Sequence, residues 1–280
     1  MSRIATSHHG ETRIRLLRVV RRGDRHDPRD LSIACRFEGD LSSAFVDGRI
    51  DALIPGEVVK NLVYATARAA GATEIEQFGL ALAERILESH SQVTRTRIEI
   101  VESAWHRLEV GGKAQGQAFV SGSGERRTAS ITSNGQQLAV VSGIENLTIM
   151  RTAGFAPSRK AIEDPGGRDD GLQRMLVASV SAKWTYSSAD VTFGPYRQGV
   201  RSAVVETFGC HARRTVPHTM YAIADVVLGS VEEISEITLS VQERPYRPAD
   251  LFKTGLENPD DLFVVLDEPL GLVEVTIERD

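Results

Sequence analysis

Twice along its 280 residues the chain runs through the same order of apolar patterns. Each time a period of two gives way to two stretches with a period near 3.6, and then the period of two returns. Arg13 to Arg21 alternates, with Ile14, Leu16 and Val20 on one side and Arg13, Arg15 and Arg21 on the other. Leu31 to Phe37 follows as the second strand of a hairpin-like pair. Pro55 and Gly56 then open a helix whose apolar positions Val59, Leu62, Val63, Thr66 and Ala67 fall at i, i+3, i+4, i+7 and i+8. After a break at Gly71, Thr73 and Glu76 spell a capping box for a second helix, with Ile75, Phe78, Leu82, Ala83 and Ile86 as its apolar face. Strands resume over Thr96 to Glu102, Ala114 to Ser121, Thr128 to Ser133 and Leu138 to Ile149, and Asn134-Gly135 is a hairpin signal.

The second pass reads the same way. Leu176 to Tyr186 alternates, Val191-Thr192-Phe193 is a short second strand, and helices follow over Tyr196 to Cys210 and Val216 to Leu228. Ile234 to Val241, Leu262 to Leu266 and Leu272 to Ile277 are strands, and Gly154 to Gly171 is a connecting loop rich in Gly, Pro, Arg and Asp. A ββααββ unit used twice, with antiparallel strands and both helices on one face, is an α+β architecture. The halves divide at residues 11–150 and 151–280. Each half leaves long sheet edges open, and covering them with further copies of the chain would close barrels on oligomerisation.

A hydrophobic share of 41% and a charged share of 25% exclude a disordered or fibrous class. The net charge of -5 leaves no cationic excess for nucleic acid or an anionic membrane. No stretch approaches 18 apolar residues and the first residues carry no apolar leader, so the expectation is a cytoplasmic chain. Cys35 and Cys210 lie far apart and match no metal or redox spacing; both are expected as buried, reduced thiols. His90, His106, His211 and His218 show no ligand spacing either, and no metal is expected.

Two positions resist a purely structural reading. Arg18 sits on the apolar side of its strand, where a cation needs a carboxylate, carbonyls or a partner subunit. The helix start at Gly56 and Glu57 offers backbone N–H groups to an anion or to the acceptor edge of a flat heterocycle, with Glu57 either a cap or a base.

Several stretches, in this order, resemble the urate oxidase (uricase) family, enzymes of tandem T-fold domains that work without a cofactor. They are I-R-L-L-R-V at 14 to 19, V-K-N-L-V-Y-A-T-A-R at 59 to 68, S-G-I-E-N-L-T-I-M-R-T at 142 to 152, and R-M-L-V-A-S-V-S-A-K-W-T-Y at 174 to 186. H-T-M-Y at 218 to 221, E-I-S-E-I-T-L-S at 233 to 240, E-N-P-D-D-L-F near 257 and G-L-V-E-V-T-I-E-R at 271 to 279 complete the set. The resemblance implies a homotetramer with sites at subunit interfaces. There an arginine and a glutamine grip urate, a threonine and a lysine of a neighbouring subunit relay protons, and an asparagine and a histidine manage dioxygen or water over the ring.

Carried onto this chain, the relay lysine falls on Arg18, which cannot act as a base, and the threonine on Gly56, which has no hydroxyl. Glu57 takes an aspartate position, and Lys60-Asn61 are kept. Arg174 matches the gripping arginine; the glutamine falls on Pro217, preceded by Val216. The asparagine and histidine fall on Gln242 and Arg244, and Phe155 is the nearest aromatic to the stacking position. What the resemblance implies is oxidation of urate or a related purine-like planar heterocycle by dioxygen. A non-catalytic ring-binding or partner subunit of such an assembly is the alternative.

Overall fold

The computed structural model describes residues 3–70, 74–152, 175–211, 215–244, 246–259, 261–266 and 270–279, with Ser123 by its backbone only. Two compact units divide it: residues 1–143 with 185–194, and residues 144–184 with 195–280.

In the first unit, β1 (His9–Arg22) and β2 (Arg25–Gly39) form a hairpin turning at Gly23, whose φ of 59° suits a residue without Cβ. The charged run from Arg25 to Asp30, which alone reads as a connection, is strand because the ladder continues through it, with Arg29 opposite Arg18 and Arg25 opposite Arg22. A short helix α1 (Ser42–Val46) precedes α2 (Gly56–Ala69) and α3 (Ile75–Ser89). Then come β3 (Val93–Val110), β4 (Lys113–Ser133) and β5 (Leu138–Arg151). β4 is one strand where the sequence predicts two: Arg127 and Arg126 stay paired with Glu102 and Ser103, and a register shift beyond Ser103 absorbs the irregularity. At the turn into β5 the Asn134 side-chain oxygen accepts from the N–H groups of Gln136 and Gln137 at 3.0 and 2.6 Å, and Gly135 takes φ 85°.

The helical periods of the sequence survive intact. Val59, Val63, Thr66 and Ala67 of α2 are buried, as are Ile75, Phe78, Leu82, Ala83 and Ile86 of α3. They pack on Ile33, Phe37, Ile98, Ile100 and Ile131 of the sheet, each such side chain contributing about 1.5–3 kcal/mol by leaving water. α3 approaches so closely that a Cβ on Gly79 would collide with the Ile131 side chain.

The capping box, however, is shifted from the predicted pair. Glu74 is the N-cap and Gln77 its reciprocal partner, while Thr73 lies outside the described residues. Glu76 turns inward instead and is fully buried. It accepts from Ser142 Oγ at 2.6 Å and pairs with Arg127 at 3.1 Å; the same guanidinium holds Glu74, and Glu102 at 3.1 Å. Burial alone would lower the Arg127 pKa, but the charges of Glu76, Glu102 and Glu74 outweigh it and the guanidinium is held more firmly protonated than usual.

The second unit contains β5 from Ile144 onward, β6 (Leu176–Tyr186), α4 (Phe193–Cys210) from Pro195, α5 (Val216–Ser230), β7 (Ile234–Arg244) and β10 (Gly271–Glu278). The strand order is β5-β6-β7-β10, and β8 (Tyr246–Pro248) pairs separately with β9 (Phe263–Val265). The strand expected over Val191-Thr192-Phe193 does not form. Phe193 begins α4 with its ring 1% exposed, edge-on to Tyr186 at 5.1 Å, so burial overrides β-propensity. β5, placed by sequence at the end of the first half, supplies the missing strand ahead of β6. Val200 and Val204 of α4 and Val216, Met220, Ile223 and Val227 of α5 are buried on the helical side of this core, and Trp184 is fully buried in β6.

Among the described residues no helix is long and apolar enough to cross a membrane. The two thiols differ from the expected pair of buried ones: Cys35 is buried and Cys210 exposed. Burial, and then the nearby charge of Glu11, push the Cys35 thiol up to about 12. A disulfide-exchange reagent at pH 8 is accordingly expected to modify one thiol per native chain and two after denaturation. Two reactive thiols in the folded protein would show that β2 opens readily.

Candidate functional site

The start of α2 is set by Pro55, extended at φ -58° and ψ 139°, whose carbonyl accepts from the N–H groups of Val58 and Val59 at 2.9 and 3.1 Å. The N–H groups of Gly56 and Glu57 have no acceptor among the described residues. Glu57 points to solvent and pairs with Lys60 one turn along, and that contact holds the ammonium above its ordinary pKa. Gly56 is bare for a steric reason. A Cβ there would fall on Oε1 of Glu11, whose carboxylate takes the space that a side chain at position 56 would fill.

Glu11 reaches this place through a defect in β1. Ile14, Leu16 and Arg18 alternate toward the helices, and continuing that period backward would point Thr12 and Gly10 inward. Instead the ladder slips between Glu11 and Ile14, and Arg13 takes φ 60°, so that Glu11 lies opposite buried Cys35 and His9 opposite buried Phe37. His9 Nε2 donates to the carbonyl of Ile54 at 2.7 Å, tying β1 to the turn before α2. Glu11 is the residue that sequence reasoning missed. Alternation assigns it to the wrong face, and only the bulge reverses that.

Arg18 is elsewhere. Its Nη1 donates to the carbonyl of Ala67, near the C-terminal end of α2, where the helix dipole favours a cation. Ala67 follows Gly56 by 11 positions, about 16 Å at the α-helical rise. Within one chain, therefore, Arg18 and Gly56 flank opposite ends of the helix. The carbonyl partner is one of those anticipated for a cation on that face.

Val216, Pro217, Gln242 and Arg244 belong to the second unit. Val216 is buried in a small apolar void that also touches Thr219, Met220 and Val241. Pro217 is exposed in the first turn of α5, after Thr215, whose hydroxyl accepts from His218 N at 3.4 Å. Proline is tolerated there because first-turn amides have no intrahelical acceptor. Gln242 and Arg244 are exposed at the end of β7, and strand alternation turns Glu243, half-buried between them, to the other side. Burial raises the Glu243 carboxyl above its ordinary pKa. Arg174 and Phe155 lie outside the described residues. No group of three or more His, Cys, Asp or Glu side chains among the described residues is placed to hold a metal ion.

Two ββααββ sets, each with an antiparallel sheet carrying a pair of helices, make this a tandem T-fold protein. The sequence model of the uricase family matches residues 8–132 and 140–274, and the chain belongs to that family. It is 30% identical over 277 residues to the uricase of Arthrobacter globiformis, covering 99% of this chain and 90% of that one. To the uricase of Danio rerio it is 27% identical over 282 residues, covering 97% and 93%. The crystal structure of the Arthrobacter globiformis uricase superposes with a TM-score of 0.87, covering 100% of this chain and 96% of that one. A uricase structure from a Bacillus species, at 16% identity and a TM-score of 0.81, shares the fold.

Proposed function

We propose that the chain is a urate-oxidase-like enzyme that oxidises urate, or a related purine-like planar heterocycle, with dioxygen and without a cofactor. The observation that carries this is a family match over nearly the whole chain, joined to an open helix start at Gly56 and Glu57 beside the retained Lys60-Asn61. The ring would lose two electrons and two protons, dioxygen would gain both and leave as hydrogen peroxide, and water would add to the oxidised ring. For such chemistry the protein must deprotonate the ring, orient it and exclude bulk water. Arg174 is assigned to grip the ring, with the backbone at Val216 and Pro217 alongside, Phe155 stacking on it, and Gln242 and Arg244 over its face. The site is assigned to the boundary between copies in a cytoplasmic homotetramer, whose sheet edges close into barrels.

Oxygen uptake and loss of ultraviolet absorbance with urate, xanthine and 8-oxoguanine test this reading, and turnover of at least one ring is expected. Saturable binding without turnover would instead support a ring-binding or partner subunit, a reading favoured by the missing hydroxyl at Gly56 and the missing amide at Pro217. Arg174→Ala is expected to weaken ring binding at least about 100-fold in calorimetry, the order of a lost charge-assisted pair. Unchanged affinity would remove Arg174 from the pocket. A light-scattering mass near that of one chain would refute the shared site.

A further inference from the structure

We infer that Glu11 is the catalytic base of this chain, its carboxylate standing where the hydroxyl at position 56 would act. The inference rests on the oxidase reading above and deepens it.

Gly56 and Glu11 are complementary. The helix residue has no side chain, and the strand residue places Oε1 in the resulting space, so that neither position accepts a larger group without displacing the other. The backbone is bent to achieve this, through the slipped register between Glu11 and Ile14 and the positive φ of Arg13. A non-glycine residue in that conformation is uncommon and held only by its surroundings. The carboxylate is half-buried, and no hydrogen bond to it forms among the described residues. It is not consumed by the fold, unlike Glu76 and Glu102, whose oxygens are all taken by Arg127, Arg29 and Ser142. The titratable groups around it are Cys35 from β2, Lys60 with Glu57 from α2, and His9 on its own strand. Of these, Cys35 stays protonated, Lys60 is held by Glu57, and His9 is bonded to Ile54, which leaves Glu11 as the acceptor.

The step is a proton transfer. A ring N–H bond breaks heterolytically, the proton passes to a Glu11 carboxylate oxygen, and the electron pair stays on the ring, which becomes the more electron-rich anion that dioxygen oxidises. The carboxylic acid then returns this proton to the reduced oxygen, which takes its second proton from another N–H of the ring as the two-electron-oxidised product forms, and hydrogen peroxide leaves.

Two measurements separate this inference from the reading beneath it. The first is the ultraviolet spectrum of urate bound to the full-length protein without oxygen. Wild type is expected to shift it toward the deprotonated ring, while Glu11→Gln binds within about threefold of wild type without the shift. The second is oxygen uptake, where Glu11→Gln is expected to lower kcat by 10²–10⁴-fold, the usual worth of general-base catalysis, and to abolish the acid limb of the pH profile. Gly56→Ala, whose Cβ expels the carboxylate, should reproduce both effects in a protein whose circular dichroism shows it folded. An unchanged spectral shift, kcat and pH profile in folded Glu11→Gln would overturn the assignment while leaving the oxidase reading intact. A Glu11-dependent shift in a wild type that consumes no oxygen would overturn the oxidase reading and keep the base. Failure of wild type to bind urate, xanthine or 8-oxoguanine would overturn both.

Discussion

Arg127→Ala is expected to destabilise the first unit by about 3–5 kcal/mol, the penalty for stripping one partner from a buried ionic cluster. Its guanidinium is the common partner of Glu74, Glu76 and Glu102, and Glu76 has no access to solvent. Without the cation, Glu76 keeps only the Ser142 hydroxyl, a neutral donor that cannot offset a buried negative charge. Thermal unfolding should fall by on the order of 10 °C. Arg127→Met combined with Glu76→Gln should recover much of the loss, because it removes the uncompensated charge with the cation. A single variant within about 1 kcal/mol of wild type, or a double variant no better than the single, would mean that the cluster is solvated rather than closed.

Pro217→Gln is expected to raise kcat/KM for urate at least about 100-fold. A site that hydrogen-bonds its substrate through a buried amide discriminates by several orders of magnitude, and a proline in that place offers only a carbonyl. The backbone should accept the change. Pro217 is exposed in the first turn of α5, where the restored N–H needs no intrahelical acceptor, and the lost rigidity costs about 0.4–1 kcal/mol. Urate kinetics by absorbance, at fixed oxygen, check the result. An unaltered kcat/KM would mean that position 217 does not face the ring, and that specificity for another heterocycle has to be sought there.

Much of the architecture was legible because burial follows period. The apolar faces of α2, α3 and α5 could be written from residue spacing alone, and β6 begins and ends where its alternation does. Where the reading departs from the structure, a side-chain contact outside the element itself is the cause. Val191-Thr192-Phe193 reads as strand until the Phe193 ring finds Tyr186. Glu76 reads as a capping residue until Arg127, 51 positions away, claims it. Arg18 has the charge of the expected lysine, and within one chain its carbonyl partner at Ala67 places it at the far end of the helix from Gly56.

From sequence alone come the doubled ββααββ order, the family, and the absence of a hydroxyl at Gly56 and an amide at Pro217, since periodicity and residue identity are local properties. Tertiary structure alone decides that Glu11 meets Gly56. A one-residue bulge reverses every side chain on one side of it, and whether a strand bulges depends on its ladder with β2 and its packing against α2, neither of which is written in the strand itself.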